Sequence, residues 1–78
     1  MHIEQVYEEL FKKLKDRYPD LTPRELSLCA YLRMNISTKE IATLMNISAR
    51  GVEISRYRVR KKLGLDRVAS LTDFIMTL

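Results

Sequence analysis

A chain of 78 residues has room for one small domain with a single modest core. Charged residues make up 31% of it and its formal net charge is +4, which is typical of a folded domain and favours an anionic partner. The one cysteine, Cys29, excludes a disulfide framework and a cysteine-based metal site, and no apolar run reaches the roughly 18 residues that span a membrane.

Catalytic and metal-binding chemistry finds no support in the sequence. The only histidine is His2, close to the N-terminus, and there is no glycine-rich phosphate loop because Gly51 and Gly64 are the only glycines. Cys29 stands in an apolar run and is expected to be a small core residue. We therefore expect a cytoplasmic protein that is not an enzyme and that has no metal, no cofactor and no membrane contact.

The first segment, residues 2–17, has the apolar period of an amphipathic helix. Part of its apolar face has the alternating four-and-three spacing of a short coiled-coil seam, namely Ile3, Tyr7, Leu10 and Leu14. Two interpretations stay open, because this face either packs on the rest of the domain or serves as a dimerisation and linker helix. Pro19 ends the helix and divides the chain into an N-terminal helix, 1–20, and a main domain, 21–78.

Three helix starts follow in the next thirty or so residues. Thr22, Ser37 and Ser48 are good N-cap residues, and Glu25 and Glu40 each stand three residues after a cap and complete a capping box. These signals predict helices over 23–34, 38–45 and 49–63, with Gly64 ending the third. A short helix, a tight turn and a longer helix form a helix-turn-helix arrangement.

A last helix is expected near 70–77, beginning after Ser70 or, alternatively, after Asp66. Its apolar face consists of Leu71, Phe74, Ile75 and Leu78. The predicted fold is thus all-α with five helices. We do not expect a small core to bury this face and that of the first helix together, so at least one of them should be partly exposed and used for self-association.

The helix over 49–63 has a narrow apolar stripe, formed by Val52, Val59 and Leu63, and a wide basic face. Such a face could be merely solvated, but its place directly after a short capped helix favours binding of double-stranded DNA in the major groove. The residues predicted to read bases are Arg50, Glu53, Ile54 and Tyr57. Those predicted to bind phosphates are Thr38, Lys39, Ser48, Arg56, Arg58 and Lys61. The second hypothesis is a helical protein-interaction module without DNA binding.

The motifs of the main domain resemble those of a known family. Residues 21–25 (LTPRE), 37–42 (STKEIA), the pair Ile47-Ser48 with Val52, and 62–65 (KLGL) are similar to the LuxR-type, or GerE-like, helix-turn-helix domain of bacterial transcription regulators. The resemblance implies a four-helix DNA-binding module, usually C-terminal to a sensor or receiver domain, that dimerises through its last helix. The runs 26–42 and 57–63 also resemble the variant found at the C-terminus of membrane-bound sensor-regulators of Bacteroidetes-type bacteria.

This chain departs from the family pattern at several positions. Gly51 stands where Thr or Ser is usual, Ser55 where His is usual, and Asn35 where glycine is usual. The DNA-facing positions that the resemblance implies fall on Glu53, Ile54 and Tyr57, where basic or small polar residues are more usual. The DNA sequence that the family reads is therefore not transferable to this chain.

Overall fold

The structure, a computed structural model, describes residues 3–66 and 68–78, with side chains from Tyr7 onwards in those ranges. It has five helices and, in the described ranges, no strand: α1 (Ile3–Arg17), α2 (Pro23–Arg33), α3 (Thr38–Met45), α4 (Ala49–Leu63) and α5 (Leu71–Met76). The predicted all-α fold is confirmed, and the described helix ends lie within one residue of those predicted. Residue 2 lies outside the described residues.

Hydroxyl side chains cap four of the helices at their N-termini. Thr22, Ser37, Ser48 and Ser70 each accept a hydrogen bond from the backbone N–H three residues further on. The first of these caps is a full capping box, because the Thr22 N–H also donates to the Glu25 carboxylate at 2.8 Å. In α3 the structure shows the serine half of the predicted box, in which Ser37 accepts from the Glu40 N–H.

Of the two starts considered for the last helix, the structure has the one after Ser70. The Asp66 carboxylate instead accepts from the N–H groups of Val68 and Ala69, both at 3.0 Å, in the turn before α5. An aspartate that bonds to backbone two and three residues ahead stabilises a turn as readily as a helix start, so the sequence alone could not distinguish the two.

Left-handed residues end the central helices. Gly64 has a φ of 72° at the end of α4, as predicted. Asn46 ends α3 with a φ of 56°, and Asn35, which follows the C-cap residue Met34 of α2, has a φ of 58°. Asparagine tolerates this conformation better than other side chains, so it can serve where the family more often uses glycine.

One hydrophobic core joins all five helices, and α2 lies at its centre, packed against α1, α4 and α5. Leu28 and Cys29 of α2 are fully buried. Since α2 is apolar around most of its circumference, it can bury α1 and α5 at the same time. The division of the chain at residue 20 stays a prediction, because α1 shares this core.

The expectation that at least one of the two outer apolar faces is partly exposed agrees with the structure, although the inner members of both faces are buried. Leu10 and Leu14 of α1 and Leu71 and Ile75 of α5 are all buried in the shared core. The outer members of the two faces, Tyr7, Phe74 and Leu78, are only partly buried, and the side chain of Ile3 lies outside the described residues. A self-association surface, which stays a prediction, has to be built from these outer members.

Candidate nucleic-acid interface

A turn of three residues, 46–48, joins α3 to α4. The N–H of Ile47 donates to the Ala42 carbonyl at 3.0 Å, which folds the turn back on the end of α3. A Cβ atom at Gly51 would lie 3.3 Å from Cδ1 of Ile47, so the absence of a side chain there lets the first turn of α4 lie close to the linking turn. The two helices of the helix-turn-helix are thus packed tightly against each other.

The apolar stripe of α4 faces the core. Val52 and Val59 are fully buried and Leu63 is 6% exposed. The four residues predicted to read bases are all exposed, and Ile54 and Tyr57 are 44% and 57% exposed despite their apolar surface. Glu53, Ile54 and Tyr57 follow Arg50 by three, four and seven residues, so all four lie on one side of the helix, opposite the stripe. The structure therefore brings the four together as one solvent-facing strip.

Cations flank this strip. Arg58 and Lys61 are exposed and Arg56 is half-buried, and the Lys61 ammonium lies 5.2 Å from the centre of the Tyr57 ring. None of these three cations is within ion-pair distance of a carboxylate in the described part of the chain. Their positive charge is thus not neutralised by the protein itself.

The beginning of α3 lies beside the middle of α4. The hydroxyl of Thr38 donates to the Glu53 carboxylate over a long 3.5 Å, which connects a predicted phosphate contact to a predicted base-reading residue. Lys39 follows Thr38 and is exposed. Ser48 is farther along, at the start of α4, where its hydroxyl oxygen accepts from the Gly51 N–H at 3.0 Å.

Two other cations of α4 are engaged inside the protein, and the sequence did not reveal their partners. Arg60 donates to the carbonyl oxygens of Ala69, at 2.6 Å, and of Asp66, and so holds the loop before α5. Lys62 forms an ion pair with Glu25 at 2.6 Å and donates to the Asp20 carbonyl at 2.8 Å. The sequence predicted Glu25 only as a capping-box residue, and no local signal linked it to Lys62.

The ion pair determines the charge state of Glu25. Burial of this carboxyl group, which is 8% exposed, opposes ionisation, but the hydrogen bonds from Lys62 and from Thr22 outweigh it and lower the pKa of Glu25 below its ordinary value. Glu25 is therefore a carboxylate at neutral pH, and Lys62 neutralises it.

The described residues contain neither a reactive thiol nor a helix that could span a membrane. Burial, with a smaller contribution from the Glu25 charge, raises the pKa of Cys29 to about 12, so its thiol stays protonated and unreactive at neutral pH. Across residues 3–66 and 68–78, no His, Cys, Asp and Glu side chains gather in a group of three that could hold a metal ion. In the same ranges no helix is both long enough and apolar enough to cross a bilayer.

This chain is a helix-turn-helix protein, because the short capped α3 is joined by a tight turn to α4, which packs on the core. It belongs to the luxR family of bacterial regulatory proteins, whose pattern matches residues 19–77. This confirms the resemblance to the LuxR-type family, which is one of DNA-binding regulators rather than of enzymes. The resemblance to the Bacteroidetes-type variant stays a prediction.

Two curated relatives are similar to the chain. The tetrathionate response regulatory protein TtrR of Salmonella typhimurium is 39% identical over 54 residues, which cover 69% of this chain and 26% of that protein. The transcriptional regulatory protein TdiR of Thauera aromatica is 37% identical over 65 residues, which cover 83% of this chain and 29% of that protein. The chain thus spans less than a third of the length of these relatives, and no solved structure matches it significantly.

Proposed function

We propose that this domain binds double-stranded DNA in a sequence-specific manner, as the DNA-binding part of a bacterial transcription regulator, with α4 in the major groove. The observation that carries the proposal is the face of α4 itself. Arg58 and Lys61 stand on it without a carboxylate partner in the described residues, beside a strip of exposed side chains that can reach base edges. Membership of the luxR family and the two regulatory relatives support it.

In this proposal the strip reads sequence and its flanks bind the backbone. Glu53 accepts from a cytosine amino group, Ile54 packs on a thymine methyl group, and Arg50 and Tyr57 complete the reading set. The phosphate contacts come from Arg56, Arg58 and Lys61 of α4, from Thr38 and Lys39 of α3, and from Ser48. The Ser48 oxygen already accepts from a backbone N–H, but its hydroxyl hydrogen remains available to a phosphate oxygen.

The proposal also includes the assembly of the regulator and the domains that accompany this one. Paired half-sites require two copies of α4 about one helical turn of DNA apart, so we propose a homodimer at least on DNA, with Phe74 and Leu78 or Tyr7 at its contact. Since the relatives are more than three times as long as their matched part, we also propose upstream sensor or receiver domains and a cytoplasmic location.

The proposal is tested by selection of DNA from a random-sequence pool with the purified domain, followed by affinity measurements at several salt concentrations. We expect one enriched motif and an affinity that falls steeply with salt, because each phosphate contact releases counterions. Failure to enrich any motif, together with early elution from heparin at low salt, would contradict DNA binding.

One observation favours the second candidate function, a protein-interaction module. An open groove of about 420 Å³ lies between α1 and α2, and its walls carry Tyr7, Phe11, Tyr31 and Met34. Met34 is 48% exposed, so the groove offers apolar surface to a partner. The same selection distinguishes the candidates, because a module that uses only this groove would enrich no DNA sequence.

A further inference from the structure

A second groove lies beside the candidate DNA-binding face, between the beginning of α2 and the side of α4. It is open to solvent and has a volume of about 480 Å³. Arg24 of α2 and Arg58 of α4 contribute to its lining, and both side chains are exposed. Arg24 lies outside the helix-turn-helix, and neither the motifs nor the proposed function gave it a part in DNA binding.

The charges in this groove favour an anion. Glu25 and Lys62 also line it, but their ion pair at 2.6 Å makes their joint contribution neutral. Neither Arg24 nor Arg58 is within ion-pair distance of a carboxylate among the described residues. The groove therefore has two uncompensated guanidinium groups, which is the chemistry that best recognises phosphate oxygens.

Two of the five α4 residues that line the groove are small, which leaves space between the larger ones. Gly51 and Ser55, one turn apart, lie on this side of α4 and line the groove. With little side chain at either position, there is space beside Arg58 for a ligand group to approach the helix.

We propose that this groove binds a backbone phosphate of the DNA between Arg24 and Arg58, which makes Arg24 a DNA-binding residue contributed by α2. This inference rests on the proposed function, since it names a further contact of the same partner. Ile54 lines the groove and also belongs to the base-reading strip, so the bound phosphate lies on the strand beside the bases that α4 reads.

The first test compares Arg24→Gln with Arg33→Gln on the duplex selected above. Both changes remove one exposed arginine charge from the same helix, but Arg33 lies at the opposite end, where it donates to the Met76 sulfur. We expect Arg24→Gln to weaken binding of all sequences alike and to reduce the slope of log affinity against log salt by about 0.9. Arg33→Gln should keep the wild-type slope.

An unchanged slope for Arg24→Gln would overturn the proposal even when the wild-type domain binds DNA normally. If the wild-type domain binds no DNA, the proposed function fails and not merely this contact. Because Arg24 is exposed, its replacement should not unfold the protein, and the thermal unfolding midpoint checks this directly.

A second test fills the groove without changing any charge. Ser55→Leu places a bulky side chain where the phosphate would lie, so we expect it to lower the salt slope by a similar amount. In the Ser55→Leu background, Arg24→Gln should then have no further effect on the slope. Independent, additive losses from the two changes would show that they do not act on one phosphate, and would overturn the groove as the binding site.

Discussion

The two sides of the C-terminal half of α4 contain the same kinds of cation but use them differently. Arg58 and Lys61 are directed to solvent without a carboxylate partner in the described residues, whereas Arg60 and Lys62 bind the loop before α5 and the start of α2. Adjacent basic residues in a sequence therefore need not contribute to one binding surface. The positive charge of a helix divides between holding the helix in place and attracting a partner.

The largest effect on stability is expected from the loss of an aliphatic side chain on the buried side of α4, compared with the same kind of loss on its exposed side. Leu63→Ala should lower the free energy of unfolding by about 2–5 kcal/mol, because it leaves a cavity in the core. Ile54→Ala, the matched change on the exposed side, should stay within about 0.5 kcal/mol of the wild type while weakening DNA binding. Urea denaturation measures the free energy of unfolding of both variants. Equal destabilisation by the two changes would contradict the assigned orientation of α4.

The next effect compares two neighbouring lysines. Lys62→Gln leaves the buried Glu25 carboxylate without its cation, so we expect a loss of about 1–3 kcal/mol of stability. Lys61→Gln removes the same charge from the exposed side, and only the contact to the Tyr57 ring is lost, which costs about 0.5–1 kcal/mol. Denaturant midpoints of the two variants at one pH decide the prediction, which fails if Lys61→Gln is the more destabilised.

Replacement of Glu53, a residue predicted to read bases, should not change the stability of the protein. Glu53 is exposed and makes only a long hydrogen bond to Thr38, so Glu53→Ala should unfold at the wild-type temperature. If Glu53 contacts a base directly, the variant should lose about 1–3 kcal/mol of discrimination at one base pair. The DNA selection repeated with this variant measures the change, and an identical motif would remove Glu53 from the reading strip.

The ion pair between Lys62 and Glu25 should also make the stability of the fold depend on pH, and this effect is smaller. The pKa of Glu25 is lowered in the folded protein from its ordinary value of 4.5, so this group stabilises the fold above that pH and its contribution disappears as the pH falls through the folded pKa. Glu25→Gln should therefore be less stable than the wild type at pH 7, and the difference should shrink under acidic conditions. Thermal melts at pH 7 and below pH 4 test this, and a constant difference would exclude the ion pair as its cause.

Local signals in the sequence predicted the helices well, because caps and stops act over three or four residues. Thr22, Ser37 and Ser48 mark helix starts by side-chain hydrogen bonds that the structure contains, and Gly64 marks a stop by its left-handed backbone. The apolar spacing of α4 likewise predicted which side faces the core. These features depend on neighbours in the sequence, so they are visible without the fold.

Long-range features were not predictable in the same way. The spacing of Leu10 and Leu14 indicates a buried face but does not indicate what covers it, and in the structure α2 covers it. The partners of Lys62 and Arg60 come from elements distant in sequence or from a loop, so no local pattern could separate these two cations from Arg58 and Lys61. The groove next to Arg24 exists only once α2 and α4 have packed together.

The salt dependence of DNA affinity for Lys61→Gln and Lys62→Gln tests the central claim most directly. Both variants lose one positive charge at neighbouring positions of the same helix, so a purely nonspecific effect of net charge would be equal in the two. We predict that Lys61→Gln reduces the slope of log affinity against log salt by about 0.9, while Lys62→Gln, once shown to be folded, keeps the wild-type slope. Equal slopes for the two variants, or a loss only in Lys62→Gln, would contradict the division of α4 into a supporting side and a DNA-binding side.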